Sequence, residues 1–254
     1  MLKNFFVGLE YFFAPISLFV NKVVMRLRHP EIARYIRYIK NNYAKNGRHK
    51  IKTAYGRGYK NVVLILDKKY VFKFPFASKD KNMVFKVANR EKRIVDALRR
   101  VSPIYIPQME LITWNGITIR RFEYVSGKQI TDFNPNKISE DNRKKIASQL
   151  ANFIWDIQQY DPPELEDCKP RSAPPHDFVT GWTHSDLATN FLLDDDFNVV
   201  AVIDWEDTYW IDARYGFAKL NKSLDRRGYY GIFMNTIFDY MLEFITKKRQ
   251  ESNN

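Results

Sequence analysis

Thr183-His184-Ser185-Asp186-Leu187-Ala188-Thr189-Asn190-Phe191-Leu192-Leu193-Asp194-Asp195-Asp196-Phe197-Asn198-Val199-Val200-Ala201-Val202-Ile203-Asp204-Trp205-Glu206-Asp207-Thr208 concentrates polar and acidic residues around two apolar runs. A polar loop carrying His184, Asp186 and Asn190 leads into a short apolar run, 191–193. An acidic turn follows, 194–198, and a second apolar run, 199–203, ends at Asp204. Two short apolar runs about a polar turn predict a β-hairpin. Such a hairpin holds Asp186 and Asn190 at its entrance and Asp204 at its exit. Two carboxylates and an amide oxygen are hard donors that suit Mg²⁺ shared with nucleotide phosphates. One of the carboxylates can instead accept the proton of an attacking hydroxyl.

His184-Ser185-Asp186-Leu187, then Asn190, then Ile203-Asp204-Trp205 resembles the catalytic and metal-binding segment of the aminoglycoside phosphotransferase and choline kinase-like family. That family is a branch of the protein-kinase-like fold, and it includes relatives among lipopolysaccharide-core sugar kinases. The resemblance implies Asp186 as catalytic base, with Asn190 and Asp204 as Mg²⁺ ligands. One departure stands out. The family usually places Asn five residues after the catalytic Asp, and here the interval is four.

The resemblance extends upstream. Tyr55-Gly56-Arg57-Gly58-Tyr59-Lys60-Asn61-Val62-Val63 reads as G-x-G-x-x-N-x-V. Gly56 and Gly58 would let the backbone approach nucleotide phosphates with no side chain between; alone, the pattern is also that of a plain hairpin turn. Lys73 is a lone cation in the apolar run Tyr70-Val71-Phe72-Lys73-Phe74-Pro75, where a charge needs a partner. The resemblance makes it the lysine on the α and β phosphates; the other reading is an edge-strand lysine in solvent. Glu91 follows 18 residues later in a helical pattern over 85–99, placed to orient Lys73 or to sit in solvent among Arg90, Lys92 and Arg93. Residues 111–122 read as a hairpin about Asn115-Gly116, and 122–127 as the hinge between lobes.

In the second half Ser139 is a good N-cap for a helix with Ile146, Leu150, Phe153, Ile154 and Ile157 on one face. The proline-rich residues 161–181 read as an irregular connection, and Asp212 as the cap of a following helix. An apolar helical pattern covers 233–245.

The expected architecture is therefore α+β: a two-lobed protein-kinase-like fold. It has a helical extension at 1–49, a small antiparallel-sheet N-lobe with one helix at 50–125, and a mainly helical C-lobe at 126–254. In the extension, 5–24 is apolar but broken by Glu10, Pro15 and Asn21, which makes it a poor membrane-spanning helix. Lys3, Lys22, Arg26 and Arg28 flank it, as in segments that lie in a membrane interface. Packing on the kinase body is the alternative. Pro30 then opens a helix with Ile32, Tyr35, Ile36 and Ile39 at helical spacing.

Composition narrows the function. Hydrophobic residues at 45% and aromatics at 15% are globular values. A single cysteine, Cys168, excludes an internal disulfide and fits a reducing compartment, so a cytoplasmic protein, peripheral at the inner face of the membrane, is expected. Lys and Arg number 41 against 29 Asp and Glu, a net charge of +12, which points to an anionic partner. The basic residues are scattered with no nucleic-acid-binding motif, so no nucleic acid is expected. The reading is an ATP- and Mg²⁺-dependent kinase that phosphorylates a hydroxyl of a small molecule or saccharide. The acceptor would be anionic and from the cell envelope, of the lipopolysaccharide type. The alternatives are a pseudokinase serving as a binding or scaffolding module, and a protein Ser/Thr kinase.

Overall fold

Buried and half-buried residues alternate strictly along Asn61–Leu66, a strand of the first sheet. The computed structural model describes residues 30–54, 61–133, 138–171, 180–187 and 190–212, with residues 239, 240, 243, 246, 247, 250 and 251. The backbone divides into two compact units: Met1–Ala88 with Met109–Tyr124, and Asn89–Gln108 with Val125–Asn254.

In the first unit five antiparallel strands, β1 (Ile51–Ala54), β2 (Asn61–Leu66), β3 (Tyr70–Pro75), β4 (Met109–Trp114) and β5 (Ile117–Glu123), stand in the order β1-β2-β3-β5-β4. Val62, Leu64 and Leu66 of β2, Phe72 and Phe74 of β3 and Ile119 of β5 all point to one face, as a period of two requires. Helix α1 (Glu31–Tyr43) covers that face. Its buried Ile32, Tyr35, Tyr38 and Ile39 recur at helical spacing. The Tyr35 ring stacks on Phe74 at 4.3 Å, and its hydroxyl donates to Pro75 O at 2.8 Å. So α1, expected within an amino-terminal extension, shares the hydrophobic core of the sheet. The β4–β5 connection is the anticipated Asn115-Gly116 turn; both residues have positive φ, 49° and 71°, as a two-residue hairpin turn requires.

In the second unit α3 (Glu140–Gln158) starts at Ser139, whose Oγ accepts the Asn142 N–H. Ile146, Leu150, Phe153, Ile154 and Ile157 are buried along it. Strand β6 (Lys128–Gln129) pairs with β8 (Phe191–Leu193), which forms the anticipated hairpin with β9 (Val199–Val202). Strands β7 (Thr180–His184) and β10 (Thr208–Asp212) pair in a separate two-stranded ladder. This ladder corrects one expectation. The connection over 161–181 is not irregular throughout: it holds a 3-10 helix, Pro163–Cys168, and ends by entering β7. Asp212 is the last residue of β10; the helix it was expected to cap lies outside the described residues, as does most of 233–245. The reason is local. Thr180-Gly181-Trp182-Thr183 and Thr208-Tyr209-Trp210-Ile211 are β-branched and aromatic, but β7 is buried throughout, so it lacks the alternation that marks a half-exposed strand.

The ladder packs tightly on α3. A Cβ added at Gly181 would stand 2.5 Å from Gln158 O and 2.9 Å from Gln158 Cα. Both are backbone atoms and cannot swing away. Gly181→Ala is expected to cost about 1–3 kcal/mol, a fall of roughly 2–12 °C in Tm; an unchanged melting curve would show that β7 does not press on α3.

Candidate active site

Two ladders bring the polar residues of 183–208 together. His184 pairs with Thr208 across β7–β10, and Phe191 pairs with Val202 across β8–β9. Residues 185–187 with Asn190, and residues 203–207, connect the same two ladders and are tied to each other. Asp186 and Asn190 lie on the first segment and Asp204 on the second.

Three hydrogen bonds tie the segments. The Ile203 N–H donates to Asn190 O at 2.8 Å, the Ser185 N–H to Asp207 O at 2.9 Å and the Ser185 hydroxyl to the same oxygen at 2.7 Å. His184, only 3% exposed, adds a fourth: its Nε2 lies 3.0 Å from Ile203 O and its Nδ1 3.3 Å from the Asp186 N–H. A neutral ring with the proton on Nε2 satisfies both, donating to the carbonyl and accepting from the amide. His184 thus links the residue before Asp204 to the backbone of Asp186. In the sequence His184 stands out only as part of the His-x-Asp motif.

Burial holds the His184 pKa below its ordinary value of 6.5. As pH falls through 6.5 the unfolded chain takes up this proton and the folded one does not, so stability falls with pH, by at most about 1.4 kcal/mol per pH unit. We expect His184→Gln, which keeps a donor toward Ile203 O, to show a shallower loss of Tm between pH 7 and pH 5 than the wild type. Parallel slopes would mean that His184 is charged in the fold.

Asn190, one residue earlier than in the resembling family, still reaches Asp186. Its Nδ2 donates to Asp186 O at 2.7 Å and to Asp186 Oδ2 at 3.1 Å. Both bonds use the amide nitrogen, so the amide oxygen is the atom that could serve a cation. The Asn190 N–H donates to Leu187 O, which ties Asn190 close to Asp186 despite the shorter interval. Asp186 is half-buried, and burial raises its pKa above the usual carboxylate value, with the Asp204 and Asp207 carboxylates adding to the rise. A raised pKa makes it a better proton acceptor.

Asp204 is exposed and its backbone is left-handed, φ 64° and ψ 62°. Asp tolerates that region better than most residues, at a cost in strain. The neighbouring side chain fixes it: the Trp205 Nε1–H donates to Val202 O at 3.0 Å, and its buried ring meets His184 edge-on at 5.1 Å and Phe153 at 5.9 Å. Among the described residues no three His, Cys, Asp or Glu side chains gather as metal ligands. The Asp204 carboxylate and the Asn190 amide oxygen make a sparse, oxygen-only donor set. That set fits Mg²⁺, which keeps its waters and takes the rest of its shell from phosphates.

The other candidates stand elsewhere. Glu91 lies in α2 (Lys81–Leu98) and is 1% exposed. It occupies one place in the buried stripe Val84, Ala88, Glu91, Val95, Leu98, where helical spacing calls for an apolar residue. This answers the solvated alternative. Within the second unit Arg90 beside it donates to Thr208 O at 2.7 Å, and Arg93 pairs with Asp167. Lys73, in the first unit, is half-buried on the sheet face opposite α1, opposite Val63 on β2 and Arg120 on β5. Its ammonium lies 5.0 Å over the Phe122 ring. Gly56 and Gly58 lie outside the described residues.

No family model matches the sequence, and no curated protein matches it. Solved structures do match. The GDP and kanamycin complex of the aminoglycoside phosphotransferase APH(2")-IIia aligns with a TM-score of 0.64 at 16% identity, over 85% of this chain and 86% of that one. ADP-bound APH(2'')-Ib aligns at 0.59 and 15%, over 84% of each chain. A type I macrolide 2'-phosphotransferase aligns at 0.51 and 13%, over 84% and 86%. The chain has the protein-kinase-like fold of these phosphotransferases.

Proposed function

We propose that this protein is an ATP-dependent phosphotransferase that moves the γ-phosphoryl group of ATP to a hydroxyl of a small molecule or saccharide. The observation that carries the reading is half-buried Asp186, whose carboxylate accepts from Asn190 and whose backbone N–H donates to His184, beside Asp204 in its left-handed backbone conformation. In this reading Asp186 accepts the acceptor's hydroxyl proton. Asn190 and Asp204 hold Mg²⁺, which supplies charge neutralisation for the phosphates when bound. Lys73 holds the phosphates, the Gly56–Gly58 loop covers them, and Glu91 orients Lys73. The similar structures support the nucleotide part, since they are complexes with GDP and ADP.

The acceptor we propose is an anionic saccharide of the cell envelope, met at the inner face of the membrane. The net charge of +12 and the base-flanked apolar run at 5–24 support that location. No helix among the described residues is long and apolar enough to cross a membrane. The experiment is a side-by-side transfer assay with labelled ATP against aminoglycosides, macrolides, choline-like amines, peptides and envelope oligosaccharides. Efficient transfer to an anionic oligosaccharide is expected. Transfer confined to an aminoglycoside or a quaternary amine would overturn the acceptor class and leave the phosphotransferase reading in place.

A further inference from the structure

The net charge is not spread over the chain. The first unit carries 21 Lys and Arg against six Asp and Glu, a net of +15. The second carries 20 against 23, a net of −3. Five of the first unit's cations stand on α1 and the connector after it. Ile32, Tyr35, Tyr38 and Ile39 turn into the core, which leaves Arg34, Arg37 and Lys40 on the outer stripe, and the connector to β1 adds Lys45 and Arg48. All five are exposed.

Arg34 lies over the Trp114 ring, and among the described residues no ion pair holds Arg37, Lys40, Lys45 or Arg48. The one acidic residue among 30–54 is Glu31, whose carboxylate already accepts the Ala77 N–H at 3.2 Å. Asp67 at the β2–β3 turn is engaged by His49 and by the Lys50 N–H. Uncompensated like charge on one helix face repels itself and lowers stability unless an anionic surface meets it.

We propose that the outer face of α1, with the connector that follows it, docks on an anionic lipid surface. Arg37, Lys40, Lys45 and Arg48 stand exposed along the helix and its connector, which suits an array of headgroups. The apolar run at 5–24 precedes α1 directly in sequence, so hydrophobic and electrostatic signals adjoin, and stable peripheral anchoring takes two signals. Single-stranded nucleic acid would call for exposed aromatics among the bases, whereas Tyr35 and Tyr38 of α1 are buried. Lys73 stands on the opposite face of the sheet, so docking through α1 leaves the Lys73 face uncovered. The inference does not depend on the phosphotransferase chemistry.

The test uses the full chain and sedimentation with vesicles of phosphatidylcholine, with and without phosphatidylglycerol. Wild type should bind the anionic vesicles, and added salt should weaken binding. Arg37→Gln/Lys40→Gln/Arg48→Gln leaves 5–24 intact and breaks no hydrogen bond or ion pair among the described residues. It should weaken binding by roughly 100-fold, at about fivefold per residue, with Tm unchanged. Lys52→Gln/Lys86→Gln/Lys247→Gln removes the same charge elsewhere and should have a much smaller effect. The proposal fails if wild type ignores anionic vesicles or binds RNA or duplex DNA more tightly than vesicles. It also fails if the α1-face variant binds like wild type, or if both triple variants lose binding equally.

Discussion

Asp186→Asn is expected to lose phosphoryl transfer by about 10²–10⁴-fold, the usual loss for a positioned base, while keeping fold and nucleotide binding. The fold should survive because the contacts around residue 186 do not need a charge. An asparagine oxygen can still accept from Asn190 Nδ2, and the residue's carbonyl and N–H still meet Asn190 and His184. Burial and the nearby Asp204 and Asp207 carboxylates oppose ionisation of Asp186, so removing that charge should leave thermal stability equal or higher. Transfer close to the wild-type rate would remove Asp186 from the base role. Loss of activity together with a large fall in Tm would mean that the residue is structural.

Asp204 should give the second large effect, and two substitutions separate its roles. Asp204→Ala and Asp204→Gly both delete the only charged side chain in the proposed metal shell. Each should cost about 3 kcal/mol or more of barrier, on the order of 100-fold or more in rate. Backbone strain distinguishes them. At φ 64° glycine is unstrained, whereas alanine costs roughly 1–2 kcal/mol. Asp204→Gly should therefore be more stable than Asp204→Ala by about that amount and no more active. A Gly variant that kept Mg²⁺-dependent nucleotide binding would take Asp204 out of the metal shell.

The sequence made legible those features that local chemistry decides. Ser139 starts α3 because a hydroxyl before two acidic residues caps a helix, and Asn115-Gly116 turns β4 into β5 because both positions need positive φ. The β8–β9 hairpin followed from two apolar runs about an acidic turn. What required the fold was long-range. The β7–β10 ladder joins residues 24 or more apart in a strand with no polar face, and it is this ladder that sets His184 opposite Thr208. The amphipathic stripe of α1 showed a helix, but not that its partner is the sheet bearing Lys73. The interval from Asp186 to Asn190 looked one residue short; only the Leu187 O to Asn190 N–H turn shows how the amide still reaches its carboxylate. Net charge, read over the whole chain, concealed that its excess belongs to the first unit. That distribution supports a membrane location more directly than it supports an anionic acceptor pocket.

The most direct test of the central claim needs no knowledge of the acceptor. Purified full-length protein is incubated with ATP, with Mg²⁺ and with EDTA, and γ-phosphoryl transfer to water is followed as released phosphate and ADP, beside Asp186→Asn and Asp204→Gly. Slow turnover that requires Mg²⁺ and is lost in both variants is expected if Asp186 and Asp204 form a phosphotransferase site, with ATP still binding to Asp186→Asn. Folded wild-type protein that binds no ATP, or turnover that persists unchanged in Asp186→Asn, would contradict that reading.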